Sequence, residues 1–256
     1  MRGLLAVFRR EFTLYFITPI AYIVLASFLT ITGFIFYGEL VQFVEYARAS
    51  PAGTGEGAVN VNVQLVTPFF FNMAFVGLFM FPLLTMRLLA EERRQGTMEL
   101  LLTYPVTDLE VVLGKYLAAV ALYGLMLAGT FWTVGVLFRF GNPDPGPIVA
   151  GYLGMFLYGA SLISLGLMLS ALTENQIVAS ILSFVTFLAL WLLHWASTLV
   201  SGLFSDVLRY VSVVDHFQAM SQGIIDTKDL IFFLSTIAFG IWVALQSVAA
   251  QRWSGE

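Results

Sequence analysis

The sequence predicts an all-α membrane protein with six transmembrane helices, an N-terminal interfacial helix and short external helices between the fifth and sixth spans. Three observations carry this fold class. The 256 residues are 59% hydrophobic and 11% charged, with a mean hydropathy of +0.87, whereas soluble domains carry about 25% charged residues. The apolar residues fall into six runs near 17–37, 66–86, 111–138, 148–172, 177–198 and 230–250, and about 20 such residues cross the hydrocarbon core. Between the second and third runs lies the one strongly charged stretch, RLLAEERRQGTMELLLTYPVTDLEVVLGK (87–115), which must sit in water. Residues 1–256 read as a single membrane domain.

Residues 1–16 place Leu4, Val7, Phe8, Phe12 and Tyr15 on one helical stripe, with Arg2, Arg9 and Arg10 off it. That pattern suits a helix lying in the interface. The apolar run that follows is too long for a signal-peptide core and no small-residue cleavage site succeeds it, so no removed leader is expected. Residues 38–64, containing ARASPAGTGEGAVNVN, read as a loop. In the second span Pro82 predicts a kink just before the insert.

Within the insert, Glu91, Glu92, Arg93 and Arg94 are expected to continue the helix into water. Gly96 weakens it, Met98–Tyr104 is a short greasy segment, and Pro105 stops that segment. Thr107-x-x-Glu110 is a capping box that launches the third span. FGNPDPGP (140–147) is a tight turn, and Thr173-x-x-Gln176 reads as a second capping box, before the fifth span. Residues 199–229 are too polar to span and too apolar for an open loop, which predicts short helices dipping into the outer leaflet.

Lysine and arginine set the orientation. With both termini cytoplasmic, eight lie inside (Arg2, Arg9, Arg10, Arg87, Arg93, Arg94, Lys115, Arg252) and four outside (Arg48, Arg139, Arg209, Lys228). No internal repeat is evident, which argues against the inverted-repeat design of many secondary transporters.

The composition also excludes function classes. With no cysteine there is no disulfide, thiolate metal site or cysteine nucleophile. A net charge of −4 leaves no nucleic-acid footprint. No HExxH, GxSxG or P-loop occurs, so no catalytic residue and no metal site are assigned and the chain does not hydrolyse ATP by itself. His194 is the foremost ionisable residue within a span, read as a hydrogen-bonded packing or interfacial histidine rather than a proton relay, since no acid lies nearby in that span. His216 beside Asp215 is read as a solvated pair, or more remotely a metal or substrate contact. Small-residue pairs at i, i+4, namely Gly114 and Ala118, Gly124 and Ala128, Gly166 and Ser170, allow close helix approach.

The stretch 87–119 resembles the ABC-2 type permeases, the membrane halves of ABC transporters. The resemblance is carried by Glu91, Gly96, Thr97, Glu99, Leu101, Leu102, Pro105, Val106, Gly114 and Lys115, and the six-span layout extends it over the whole chain. DHFQAMSQGIIDTKDLIFFLS (215–235) is further similar to the gliding-motility and nitrous-oxide-reductase-maturation branch. The resemblance implies a bacterial inner (plasma) membrane location and a permease that exports its cargo. It implies a second permease chain, identical or related, two copies of a cytoplasmic P-loop ABC ATPase that bind ATP and Mg, and room for a periplasmic accessory protein; this chain itself binds no cofactor.

A cytoplasmic coupling helix between spans two and three would contact the ATPase through Glu91, Glu92, Arg93, Arg94, Gly96, Thr97, Met98, Glu99, Leu100, Leu101, Leu102 and Pro105. The greasy residues would fill a groove and the charges would fix register at its rim. Thr173, Glu174, Asn175 and Gln176 would form a second contact. The substrate is left open. An ATPase-linked assembly or mechanotransmission subunit that moves no solute shares the same insert. An intramembrane enzyme would need convergent polar residues in the spans.

Overall fold

A computed structural model of the protein describes residues 2–49, 60–96, 106–141 and 143–254. The described residues form helices α1 (Arg2–Ile17), α2 (Ile20–Ala49), α3 (Thr67–Thr85), α4 (Ala90–Arg94), α5 (Asp108–Gly129), α6 (Phe131–Phe140), α7 (Pro145–Ala171), α8 (Gln176–Leu199), α9 (Leu203–Val211), α10 (Val213–Ser221) and α11 (Thr227–Ser254), with a π-helical turn, Asn62–Val66, leading into α3. Six segments are long and apolar enough to cross a membrane: Ile20–Ala49, Asn62–Arg94, Asp108–Phe140, Pro145–Ala171, Gln176–Leu199 and Thr227–Ala250. Helices suit this solvent because each satisfies its own backbone hydrogen bonds.

The central element is α7, which packs against α3, α5, α8, α10 and α11. Its membrane-length window is 72% buried, against 17% for α8 and 22% for α11, so α7 forms the axis and those two helices the periphery. Between lipid-soluble helices close packing rather than water exclusion supplies the attraction, and small residues set the distance. A Cβ built on Gly240 would lie 2.7 Å from the Ser164 carbonyl carbon and oxygen, and one on Gly166 would lie 2.3 Å from Thr85 Oγ1. Gly114 meets Val7 and Phe8 of α1 in the same way, whereas Gly124 faces open space. Two of the three small-residue pairs therefore mark a helix crossing and the third does not. Gly240→Ala is expected to push α11 off the α7 backbone, at the cost of about 1–3 kcal/mol typical of overpacking. Thermal unfolding in detergent should show the loss, with Gly124→Ala unchanged as control.

Several boundaries differ from the sequence reading. The 38–64 loop is helical through Ala49 and again from Asn62, and residues 50–59 lie outside the described residues. The third span is interrupted at Thr130, whose hydroxyl donates to the Leu127 carbonyl at 2.7 Å and so helps turn the chain between α5 and α6. Pro82 lies inside α3, which ends three residues later at Thr85. The capping box of Thr107 and Glu110 is present. The second expected box is not: Asn175 caps α8 by accepting from the Ile177 amide at 2.9 Å, and Thr173 accepts from the Asn175 amide instead. Residues 199–229 hold short helices, α9 and α10, as expected.

Candidate functional site

The insert leaves α3 through a turn at 86–89 and makes one short helix, α4, before Gly96 ends it with φ at +66°. A left-handed residue here closes the helix, and glycine takes that conformation without Cβ strain. Glu91, Glu92, Arg93, Arg94 and Gly96 are thus described, whereas Thr97, Met98, Glu99, Leu100, Leu101, Leu102 and Pro105 lie outside the described residues.

The charges of α4 do not all face outward. Glu92 is buried and Arg93 half-buried, while Arg94 is exposed. Glu92 Oε1 lies 2.9 Å from Lys115 Nζ on α5, and the same nitrogen lies 3.1 Å from Glu11 Oε1 on α1. Lys115 is 1% exposed. Arg10 approaches Glu92 at 3.8 Å and Glu11 at 4.0 Å. The buried Lys115 lies between two largely buried carboxylates, which is what allows these charges to leave water, and Arg10 approaches both from the exposed side. The cluster ties α1, α4 and α5 at a single point, and Gly114, one residue before Lys115, lets α1 come close enough for it.

Other bonds carry α4 into the rest of the bundle. The Ser170 hydroxyl of α7 accepts from the Leu89 and Ala90 amides, both at 3.1 Å, and so caps α4 from another helix. Arg93 Nη2 donates to Ser247 Oγ of α11 at 2.8 Å, and that hydroxyl donates to the Ala171 carbonyl of α7 at 2.8 Å. Arg87 Nε donates to Gln176 Oε1 at 3.0 Å, which links the root of the insert to the short turn holding Thr173, Glu174 and Asn175. Tyr15 of α1 donates to the Leu84 carbonyl at 3.2 Å. The insert root is therefore bonded to α1, α5, α7, α8 and α11. The described part of the first predicted contact segment, 91–96, stands at the same end of the bundle as the second, 173–176.

Sequence reasoning missed the inward turn of Glu92 and the part played by Glu11 and Lys115. A signal existed: Lys115 stands among Val111, Val112, Leu113, Tyr116 and Leu117, where an unpaired ammonium is costly, so it announces a partner.

At the opposite end His194 is hydrogen-bonded, and His216 departs from expectation. His194 Nδ1 lies 3.0 Å from Asp215 Oδ1, an acid supplied by α10 rather than by its own span. His216 is not solvated and does not pair with Asp215. It is 5% exposed, with Nδ1 at 2.7 Å from Asp229 Oδ1 and Nε2 at 3.0 Å from the Tyr210 carbonyl. Adjacent residues on a helix point apart, so His216 and Asp215 each find a partner on a different helix. The His216 ring stacks on Phe232 at 3.9 Å. Among the described residues, no group of three His, Cys, Asp or Glu gathers as a metal site.

The fold and the insert define a class of protein, and the comparisons agree with it. Residues 53–245 match the family described as ABC-2 family transporter protein, and the chain belongs to that family. Among characterised sequences it is similar to the Probable multidrug ABC transporter permease YbhR of Escherichia coli strain K12 and to its counterpart in strain O157:H7, in each case 28% identical over 148 residues. The alignment covers 53% of this chain and 37% of each relative, so the matched region spans well under half the length of those proteins.

Proposed function

We propose that this chain is the membrane permease subunit of an ATP-driven ABC transporter, moved by a separate cytoplasmic ATPase that binds the 91–105 insert. The observation that carries this reading is the bonding of the insert root. A load applied there reaches α1 and α5 through Lys115, α7 through Ser170, and α11 through Arg93. An insert serving only solubility has no use for such attachments.

In this reading the greasy residues Met98, Leu100, Leu101 and Leu102 enter a groove on the ATPase, and the exposed Arg94 stands at its rim. The inward-turned Glu92 and Arg93 transmit rather than bind. Thr173, Glu174, Asn175 and Gln176 form the second contact, beside Arg87. The insert end then faces the cytoplasm, as the lysine and arginine count favours, and α9 and α10 lie on the outer side. ATP and Mg belong to the ATPase, two permease chains assemble with two ATPase copies, and export is the direction the family resemblance favours.

Leu101→Asp places a charge where an apolar contact is needed. Co-purification of the ATPase with the full chain should drop about tenfold or more, since burying an unpaired carboxylate costs more than 1.4 kcal/mol, while thermal unfolding of the permease stays unchanged. Undiminished co-purification would remove the docking assignment.

A further inference from the structure

Beside the charge cluster, α1, the start of α2, the 86–89 turn and α4 enclose a cleft of about 390 Å³. We infer that this cleft is a phospholipid site, selective for a headgroup that carries a phosphate and a primary ammonium. The inference does not depend on ATPase docking.

The level of the cleft in the bundle comes first. The chain turns from α1 into its first membrane-length helix at Thr18–Pro19, and Leu14, Thr18 and Ile20 line the cleft. It therefore sits where the apolar span begins, at headgroup height. Ile17, Tyr22 and Ile23 next to it are well exposed, offering an apolar flank along which acyl chains can run.

The polar lining comes next. Arg10 and Arg87 both border the cleft and both are exposed. Arg10 makes only the long contacts at 3.8 and 4.0 Å, and Arg87 commits one nitrogen, Nε, to Gln176. Among the described residues their remaining guanidinium donors are available, and a guanidinium fork suits phosphate oxygens. Glu91 supplies the opposite sign. Its Oε1 is held by Arg94 at 3.5 Å and by Gln95, but its Oε2 is enclosed and has no hydrogen-bond partner among the described residues. A carboxylate beside a cleft attracts a primary ammonium, which brings three N–H donors. Lys115 faces two carboxylates and is buried, so it is not presented to a headgroup. A phosphate-plus-ammonium group thus matches the two guanidinium groups and the Glu91 carboxylate that border the cleft. The apolar lining of Leu14, Ile20 and Leu88 favours a lipid over a free phosphoamine.

Native mass spectrometry of the full chain in detergent tests this, with phosphatidylethanolamine, phosphatidylcholine and phosphatidylglycerol of identical acyl chains titrated in turn. Phosphatidylethanolamine should be retained most. Arg87→Ala, and separately Arg10→Gln, should weaken its retention about tenfold, the loss of one charge-assisted hydrogen bond. Glu91→Gln should level phosphatidylethanolamine with phosphatidylcholine, which keeps the phosphate and positive charge but has no N–H. Unchanged retention by Arg87→Ala, which lies outside the ion cluster, would leave only general lipid adhesion and overturn the site. Equal retention of all three lipids by the unaltered chain would overturn the ammonium selectivity. Displacement of the lipid by soluble phosphoethanolamine at equal concentration would overturn the lipid assignment in favour of a free solute.

Discussion

Lys115→Met is expected to destabilise the protein by about 3–5 kcal/mol, the range for breaking a buried ion pair on one side only. Methionine fills nearly the same volume, so the loss is one of charge rather than of packing. Glu11 and Glu92 would remain 12% and 11% exposed in their side chains after losing the ammonium that lies closest to both. Thermal unfolding in detergent should show a lowered midpoint, and cysteine cross-linking between α1 and α5 should weaken. Adding Glu11→Gln to the Lys115→Met chain should recover part of the loss by removing one stranded carboxylate. An unchanged midpoint in Lys115→Met would mean that the cluster does not hold α1 in place.

Asp229→Leu is expected to cost about 1–3 kcal/mol at the opposite end, because His216 would lose the carboxylate hydrogen bond to Nδ1 while remaining buried. Both His216 nitrogens face acceptors, Asp229 and the Tyr210 carbonyl, so the ring is held from two sides. The loss should be local: hydrogen exchange in α9 and α10 should speed up well before that in α7. The paired variant His216→Phe with Asp229→Leu should recover most of the stability, since replacing both partners of a buried hydrogen bond by apolar groups of similar shape is nearly neutral. A double-mutant cycle gives the coupling, and additive single effects would contradict the pairing.

The spans were legible because lipid imposes one demand, about 20 apolar residues in a helix, and a run such as SFVTFLALWLL answers it without ambiguity. Helix ends were less legible because hydropathy reports where a chain leaves lipid, not where it stops being helical. In α2 the segment ELVQFVEYARA carries Glu39, Glu45 and Arg48 but no internal glycine or proline, so the helix continues to Ala49. Asn72 on α3 donates to Glu39 at 2.8 Å and holds that extension to the bundle.

The charged pairs were the least legible part. Lys115 finds Glu11 and Glu92, and His216 finds Asp229, across distances in sequence that no local pattern encodes. A lysine inside an apolar run announced that a partner exists; only the packing of α1 on α5 says which. The position of the insert, its capping box and the glycine that ends α4 were all local, and these the sequence did reveal.

The last helix touches both of these charged regions. Ser247 of α11 receives Arg93 from the insert root, and Asp229 of the same helix receives His216. The two residues are separated by about 27 Å of helix at 1.5 Å per residue, close to the thickness of a bilayer core. A helix is stiff along its axis, and no described residue between Asp229 and Ser247 is a proline. Movement of Arg93 along that axis would therefore arrive at His216 nearly undiminished, and α11 would act as a pushrod from one membrane face to the other. The glycine that sets it against Ser164, Gly240, stands between the two ends and would serve as its bearing.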